Sequence, residues 1–313
     1  METRRIGSLD VSVVGLGCNN FGMRIDAKRA NEVVHTALDA GITLFDTADI
    51  YGGTKSEEFL GAALHGRRDD ALIATKFGGP IDDDRRGGAS ARYLKRAVED
   101  SLRRLGTDRI DLYQLHFPDQ SVPIGETLGA LDELVGAGKV REIGCSNFSS
   151  AMIEDAEAQS ASHGFAHFAS VQNEYSLLNR KPERRVLETC EKFGVAFIPY
   201  FPLASGVLTG KYRRGEQPPE GTRLANAPAE RTERALSDRN FDIVEALDKW
   251  VGGRGHSLLD VAMAWLLSRP VVSSVIAGAT RPEQVRANAA AASWHMTADE
   301  VAQVDAIAEP SGD

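Results

Sequence analysis

Eight times along this chain a short, almost unbroken apolar run is followed by a segment whose apolar residues recur at helical spacing. That alternation leaves few folds open. Apolar runs without polar alternation read as strands buried on both faces, and strands joined through helices pair in parallel. The runs cover residues 11–16, 43–45, 71–75, 110–115, 140–145, 169–171, 195–198 and 271–276. The helical segments cover 26–41, 56–64, 91–105, 124–137, 150–162 and 183–193, then 241–251 and 258–267 before the last strand, and 282–292 and 298–307 after it. Two strand-like runs around Gly7 and Asp10 predict a hairpin ahead of the first inner strand. The prediction is an α/β fold: a (β/α)8 TIM barrel with an N-terminal β-hairpin and extra C-terminal helices, formed by residues 1–313 as a single domain. A doubly wound sheet would want GxGxxG directly after the first strand, and the stretch from Gly15 to Gly22 lacks that spacing.

Composition narrows the class. Hydrophobic residues make up 42% and charged residues 26% of the 313, as in an ordinary globular protein. A net charge of -9 argues against a nucleic-acid partner. No apolar run has the roughly 20 residues of a membrane span, and the N-terminus shows no signal-peptide core, so no membrane and a cytoplasmic location are expected. Cys18, Cys145 and Cys190 lie too far apart for a CxxC pair and read as small buried residues. Among seven histidines only His163 and His167 stand four apart, with no third ligand beside them, so no metal is expected.

Three successive strand ends carry chemistry. The stretch Leu44-Phe45-Asp46-Thr47-Ala48-Asp49-Ile50-Tyr51-Gly52 delivers an acid and a phenol. The next strand ends at Lys76 and the one after at His116. Barrel enzymes place their reacting groups at such ends. A phenol is a poor acid at neutral pH; a neighbouring ammonium favours its phenolate, and a carboxylate can anchor that ammonium. The set suits delivery of a proton to a carbonyl oxygen, with His116 as a hydrogen-bond donor to it. Later strand ends offer Ser146, Asn147 and Gln172, suited to a planar carboxamide, and Tyr200, a flat face for stacking. A glycine-bearing, basic group follows: residues 204–211, Arg223 and Gly278-Ala279-Thr280-Arg281, the last at a helix start where barrels often bind phosphate.

The motifs Phe45-Asp46-Thr47-Ala48-Asp49-Ile50-Tyr51-Gly52, Lys139-Val140-Arg141-Glu142-Ile143-Gly144-Cys145-Ser146-Asn147-Phe148 and Gly278-Ala279-Thr280-Arg281-Pro282-Glu283-Gln284 with Asn288 resemble the aldo-keto reductase superfamily over nearly the whole chain. The likeness is to its bacterial and potassium-channel-subunit branches. That resemblance implies an NADP(H)-binding barrel without a Rossmann domain, with NAD(H) still open. It implies catalytic roles for Tyr51, Asp46, Lys76 and His116. It implies that Ser146, Asn147 and Gln172 hold the carboxamide and that Tyr200 stacks on the nicotinamide. A covering loop would contribute Phe201, Pro202, Leu203, Ala204, Gly206 and Lys211, with Arg223 beyond it. At the adenosine end it implies Gly278, Thr280, Gln284 and Asn288, with charge from Lys211, Arg223 or Arg281. The short tail after the last helix implies an open pocket.

The expected function is reversible reduction of aldehydes or ketones, with a small-molecule substrate and no obligate protein partner. The alternative is a cofactor-binding regulatory or sensor subunit with slow residual chemistry. A third reading makes Lys76 a Schiff-base nucleophile.

Overall fold

The computed structural model describes residues 1–309. It opens with an antiparallel hairpin, β1 (Thr3–Ile6) and β2 (Leu9–Ser12), turned at Gly7 with φ +55°. The first inner strand, β3 (Val14–Gly17), starts three residues later than the apolar run predicts. The run 11–16 is cut at Ser12, whose hydroxyl donates to the Val14 carbonyl (2.7 Å) and accepts from the Thr43 amide (2.9 Å), so the chain turns a corner there.

From β3 the strands and helices alternate: α1 (Ala27–Asp39), β4 (Leu44–Asp46), α2 (Lys55–Ala63), β5 (Leu72–Phe77), α3 (Ala91–Leu105), β6 (Ile110–Leu115), α4 (Ile124–Gly136), β7 (Val140–Ser146), α5 (Ser150–His163), β8 (Ser170–Glu174), α6 (Val186–Phe193) and β9 (Ala196–Tyr200). Then come α7 (Ala229–Ala235), α8 (Asp238–Val251), α9 (Leu258–Leu267), β10 (Val275–Gly278), α10 (Pro282–Ala291) and α11 (Ala298–Ile307). Local signals explain the helix ends. Asp26 and Ser90 accept from backbone amides three residues on, starting α1 and α3, and Gly106 at φ +63° stops α3. The face of α3 carrying Leu94, Val98, Leu102 and Leu105 is buried against the barrel.

Eight parallel strands run in the order β10-β3-β4-β5-β6-β7-β8-β9. The remaining seam is joined at Phe197, whose amide donates to the Val271 carbonyl (2.8 Å) and whose carbonyl accepts from the Ser273 amide (3.0 Å). This explains why β10 begins at Val275: the first residues of run 271–276 close the barrel. Inside it, Leu44, Ala74, Leu112, Ala169, Ile198 and Ile276 pack with Ile6, Leu9 and Val11, so the hairpin plugs one end. The opposite end, where the strands finish, is left for a site.

Two helical expectations shift. Segment 183–193 breaks into a short turn, Lys181–Arg184, and α6, because Arg185 has an extended φ of −156°. Segment 241–251 begins earlier, as α8 at Asp238, and the polar stretch before it carries turns at Ala204–Thr209 and Leu224–Asn226 and then α7.

Candidate active site

β4 stops on Asp46, and the chain crosses the strand ends to Tyr51. Backbone bonds pin this crossing: the Thr47 amide donates to the Ala74 carbonyl (2.8 Å), Asp49 to Lys76 (3.1 Å) and Tyr51 to Ala48 (3.1 Å). Gly52 follows at φ +59°, where a β-carbon would stand 2.3 Å from the Phe21 carbonyl oxygen. Only glycine fits there. Lys76 lies within β5 and is fully buried. Its ammonium donates to both Asp46 oxygens (2.8 and 2.7 Å) and to the Thr47 carbonyl (2.9 Å), and it stands 5.1 Å from the centre of the Tyr51 ring. The His116 ring meets Tyr51 edge-on at 5.7 Å. The four residues from three strand ends are therefore one cluster.

Burial pushes the Tyr51 phenol above its usual value; Lys76 pulls it down only in part, and Asp46 pushes it up again. The ammonium lowers this pKa as expected, but desolvation of the phenolate outweighs the attraction and the net shift is upward. The Tyr51 phenol is thus protonated at neutral pH. For Lys76, burial disfavours the charge, but Asp46 and Tyr51 more than offset it, so the ammonium holds its proton. Burial, with Lys76 nearby, drops His116 to about 3, and the ring is neutral.

Above this cluster lies a cavity of about 760 Å³. It runs from Tyr51 and His116 past the ends of β7, β8 and β9 to the start of α10. Asn147 sits at φ +63°, and its amide donates to the His116 carbonyl (3.0 Å) and Ser146 Oγ (3.1 Å) while accepting from the Tyr200 hydroxyl (2.8 Å). Strained backbone held by such bonds marks functional sites. Gln172 donates to Asp46 (2.8 Å), and Ser146 donates to the Gln172 carbonyl (2.8 Å). Past Tyr200 the chain makes a strained turn, with Phe201, Ala204 and Ser205 at positive φ. The far end of the cavity is cationic, lined by Arg24, Lys211, Arg223 and Arg281. Burial and the three arginines all depress the Lys211 pKa, so its charged surroundings are repulsive. Thr280 donates from its amide (2.8 Å) and hydroxyl (3.1 Å) to Gln284, and Asn288 is buried behind them.

Residues 13–309 match the model of the Aldo/keto reductase family. This chain belongs to the aldo/keto reductase family. It is 34% identical to "Aldo-keto reductase YhdN" of Bacillus subtilis, over 96% of this chain and 91% of the relative. It is 33% identical to "Probable voltage-gated potassium channel subunit beta" of Arabidopsis thaliana, over 92% and 90%. Among solved structures, the holo form of aldo-keto reductase AKR11C1 from Bacillus halodurans superposes with a TM-score of 0.82 at 32% identity, covering 99% of this chain and 97% of that one. The glycerol dehydrogenase AKR11B4 from Gluconobacter oxydans gives 0.84 at 31%, covering 98% and 94%. Family and fold together make the protein an oxidoreductase built on a TIM barrel. No helix among the described residues is long and apolar enough to cross a membrane.

Most residues singled out in the sequence line this cavity. Lys76 does not; it supports the site from behind. Ala204 does not either, because its methyl packs against the hydrophobic core, and Ser205 and Thr209 line the cavity instead. Sequence reasoning passed over Gln114, whose amide lies 3.4 Å from Asp46 deep in the barrel. Strand alternation signals it, since Gln114 shares a face with the interior Leu112. It also passed over Asn19 and Asn20, which accept from Arg223 at 3.2 and 3.4 Å, and over Arg24, which donates to the Gly221 carbonyl at 2.5 Å. These contacts span about two hundred positions of sequence, and no local pattern announces them.

Proposed function

We propose that this protein is an NADP(H)-dependent reductase that converts aldehydes or ketones to alcohols in a reversible reaction. The observation that carries the reading is the Tyr51 phenol at the cavity, backed by the buried Lys76–Asp46 ion pair. When bound, the nicotinamide supplies the hydride that reaches the carbonyl carbon. The chain's own residues manage the oxygen. As the C=O π pair moves onto oxygen, the Tyr51 O–H bond breaks toward it and the alcohol forms. The phenolate left on Tyr51 faces the Lys76 ammonium, which stays charged because Asp46 holds it. His116 is neutral and its Nδ1 is buried without a partner, so Nε2 is the nitrogen that donates to the carbonyl oxygen and orients it. Lys76 as a Schiff-base nucleophile is disfavoured: a buried, hydrogen-bonded ammonium has no free lone pair.

The cavity suits the cofactor in shape and charge. Asn147, Ser146 and Gln172 would hold the carboxamide, and Tyr200 the ring face; Gln172 gives its NH2 to Asp46, which leaves its oxygen to accept. Phe201 to Leu203 with Gly206, Lys211 and Arg223 would cover the pyrophosphate. Gly278, Thr280, Gln284 and Asn288 would meet the adenosine. Arg24, Lys211, Arg223 and Arg281 supply four positive charges against the one Glu220 carboxylate of the same cavity, which matches a pyrophosphate plus a ribose phosphate better than a pyrophosphate alone. That balance favours NADPH over NADH. The test is cofactor oxidation across a panel of aldehydes and ketones with each cofactor. Turnover with NADPH well above that with NADH is expected; turnover with neither removes the reading. The plant relatives described as channel subunits support a second reading, a cofactor-bound regulatory subunit. Tight NADPH binding with slow turnover on every carbonyl, together with a copurifying partner, would favour it.

A further inference from the structure

Behind the Tyr51 loop lies a second group of ionisable side chains that the proposed reaction does not use. Asp49 is fully buried, and neither of its carboxyl oxygens has a hydrogen-bond partner among the described residues. Its neighbours are already committed. Glu57 of α2, also fully buried, accepts from Thr75 Oγ1 at 2.6 Å and pairs with Arg104 of α3 at 2.6 Å. Lys76 of β5 is given to Asp46. Tyr113 of β6 has a buried hydroxyl without a partner. On the outer side, Arg85 and the α3 residues Tyr93, Arg96, Asp100 and Arg104 border a cleft with Asp49. Arg85 pairs with Asp82, and Asp100 with Arg103 and Arg96. The cleft measures about 10 Å³, room for roughly one water. Burial and the Glu57 carboxylate push the Asp49 carboxyl up to about 8. A carboxyl without partners in such a place keeps its proton at neutral pH.

Asp49 is also wired to the catalytic elements. Its amide donates to the Lys76 carbonyl at 3.1 Å, and Tyr51 stands two residues further on, its own amide bonded to Ala48. The small cleft and the large cavity share no lining residue. Asp49 therefore borders a cleft separate from the cavity proposed for the cofactor.

We propose that Asp49 is a positioning residue for Tyr51: its neutral carboxyl lets loop 47–52 seat between β5 and α3, and its ionisation unseats the loop and slows proton delivery. The effect on turnover rests on the reductase reading above; the seating of the loop does not. An ionised Asp49 gains repulsion from the Glu57 carboxylate and unmet desolvation, while Arg104, the cation that most offsets them, is held by Glu57. The strain is relieved by moving the short loop rather than the packed strands.

The test compares wild type with Asp49→Asn, which imitates the neutral acid, and with Asp49→Ala should the first variant fail to fold. With saturating NADPH and an aromatic aldehyde, wild-type kcat should fall on the order of tenfold between pH 7.5 and 9.5, while Asp49→Asn stays level. Burial holds the Tyr51 phenol above its usual value, so it keeps its proton and does not cause that fall. Hydrogen exchange of residues 47–52, corrected for the intrinsic pH dependence, should quicken above pH 8 in wild type only. Equal exchange profiles in wild type and variant overturn the proposal whatever the turnover. An exchange difference with identical kcat profiles overturns it too, since the loop would then move without affecting Tyr51. If no carbonyl is turned over while the exchange difference is present, the reductase reading fails and the seating role of Asp49 stands.

Discussion

Replacing Asp46 by Asn tests whether the ion pair beneath Tyr51 is as dry and as coupled as the structure shows. Lys76 is fully buried, and its ammonium has three oxygen partners: two on Asp46 at 2.8 and 2.7 Å and the Thr47 carbonyl at 2.9 Å. Asp46→Asn leaves a buried positive charge with only neutral oxygens around it. Removing one partner of such a pair costs about 3–5 kcal/mol, because the other keeps its desolvation penalty. The loss should depend on pH. In wild type the attraction of Asp46 holds the Lys76 pKa above its usual value against the pull of burial. Without Asp46, burial dominates and the folded-state pKa drops below the unfolded one. Between those two pKa values the unfolded chain binds more protons than the folded one, so the variant gains stability as pH rises. Urea unfolding should place Asp46→Asn about 3–5 kcal/mol below wild type at pH 7, with a smaller deficit at pH 9.5. Adding Lys76→Met, which removes the stranded charge at similar length, should restore much of the loss. A single variant within about 1 kcal/mol of wild type at pH 7 would refute the reasoning, since that is the worth of a solvated pair.

Other outcomes follow from the same geometry. His116 titrates at about 3, so kcat/KM for carbonyl reduction should be flat from pH 5 to 7.5; a limb centred near the ordinary histidine value of about 6.5 would mean that the ring is solvated. Gly52→Ala places a β-carbon 2.3 Å from the Phe21 carbonyl at φ +59°, so it should lose about 1–3 kcal/mol in thermal unfolding and most turnover together. Arg223→Ala removes one of four cations at the far end of the cavity and its bonds to Asn19 and Asn20; NADPH affinity in a fluorescence titration should fall by roughly tenfold or more, with a weaker dependence on salt.

The barrel was legible because the inner strands are largely buried on both faces and helices such as α1 and α3 carry one apolar face, so period and length separate them. Helix α3 and strand β6 stand at the residues that pattern predicts. The errors fall where tertiary contacts override local pattern. The run 11–16 is split by the Ser12 hydroxyl bonding across to Thr43, and the run 271–276 gives its start to the seam at Phe197. The cluster of Asp46, Tyr51, Lys76 and His116 was legible because its groups stand at consecutive strand ends. Its electrostatics were not: the sequence names Lys76 beside Tyr51 but does not reveal that burial outweighs the ammonium. The cationic end of the cavity was legible at Lys211, Arg223 and Arg281 but not at Arg24, which reaches it through the Gly221 carbonyl nearly two hundred residues away. Asp49 reads as one more polar residue in a turn until its two unpartnered oxygens are seen.

The most direct measurement of the central claim is NADPH oxidation by an activated aromatic aldehyde, wild type beside Tyr51→Phe, with NADPH binding measured on both. The account predicts steady turnover in wild type and loss of nearly all of it in Tyr51→Phe, on the order of a hundredfold or more, at unchanged NADPH affinity. Wild-type turnover that survives in Tyr51→Phe would contradict it, because the proton would then come from another group.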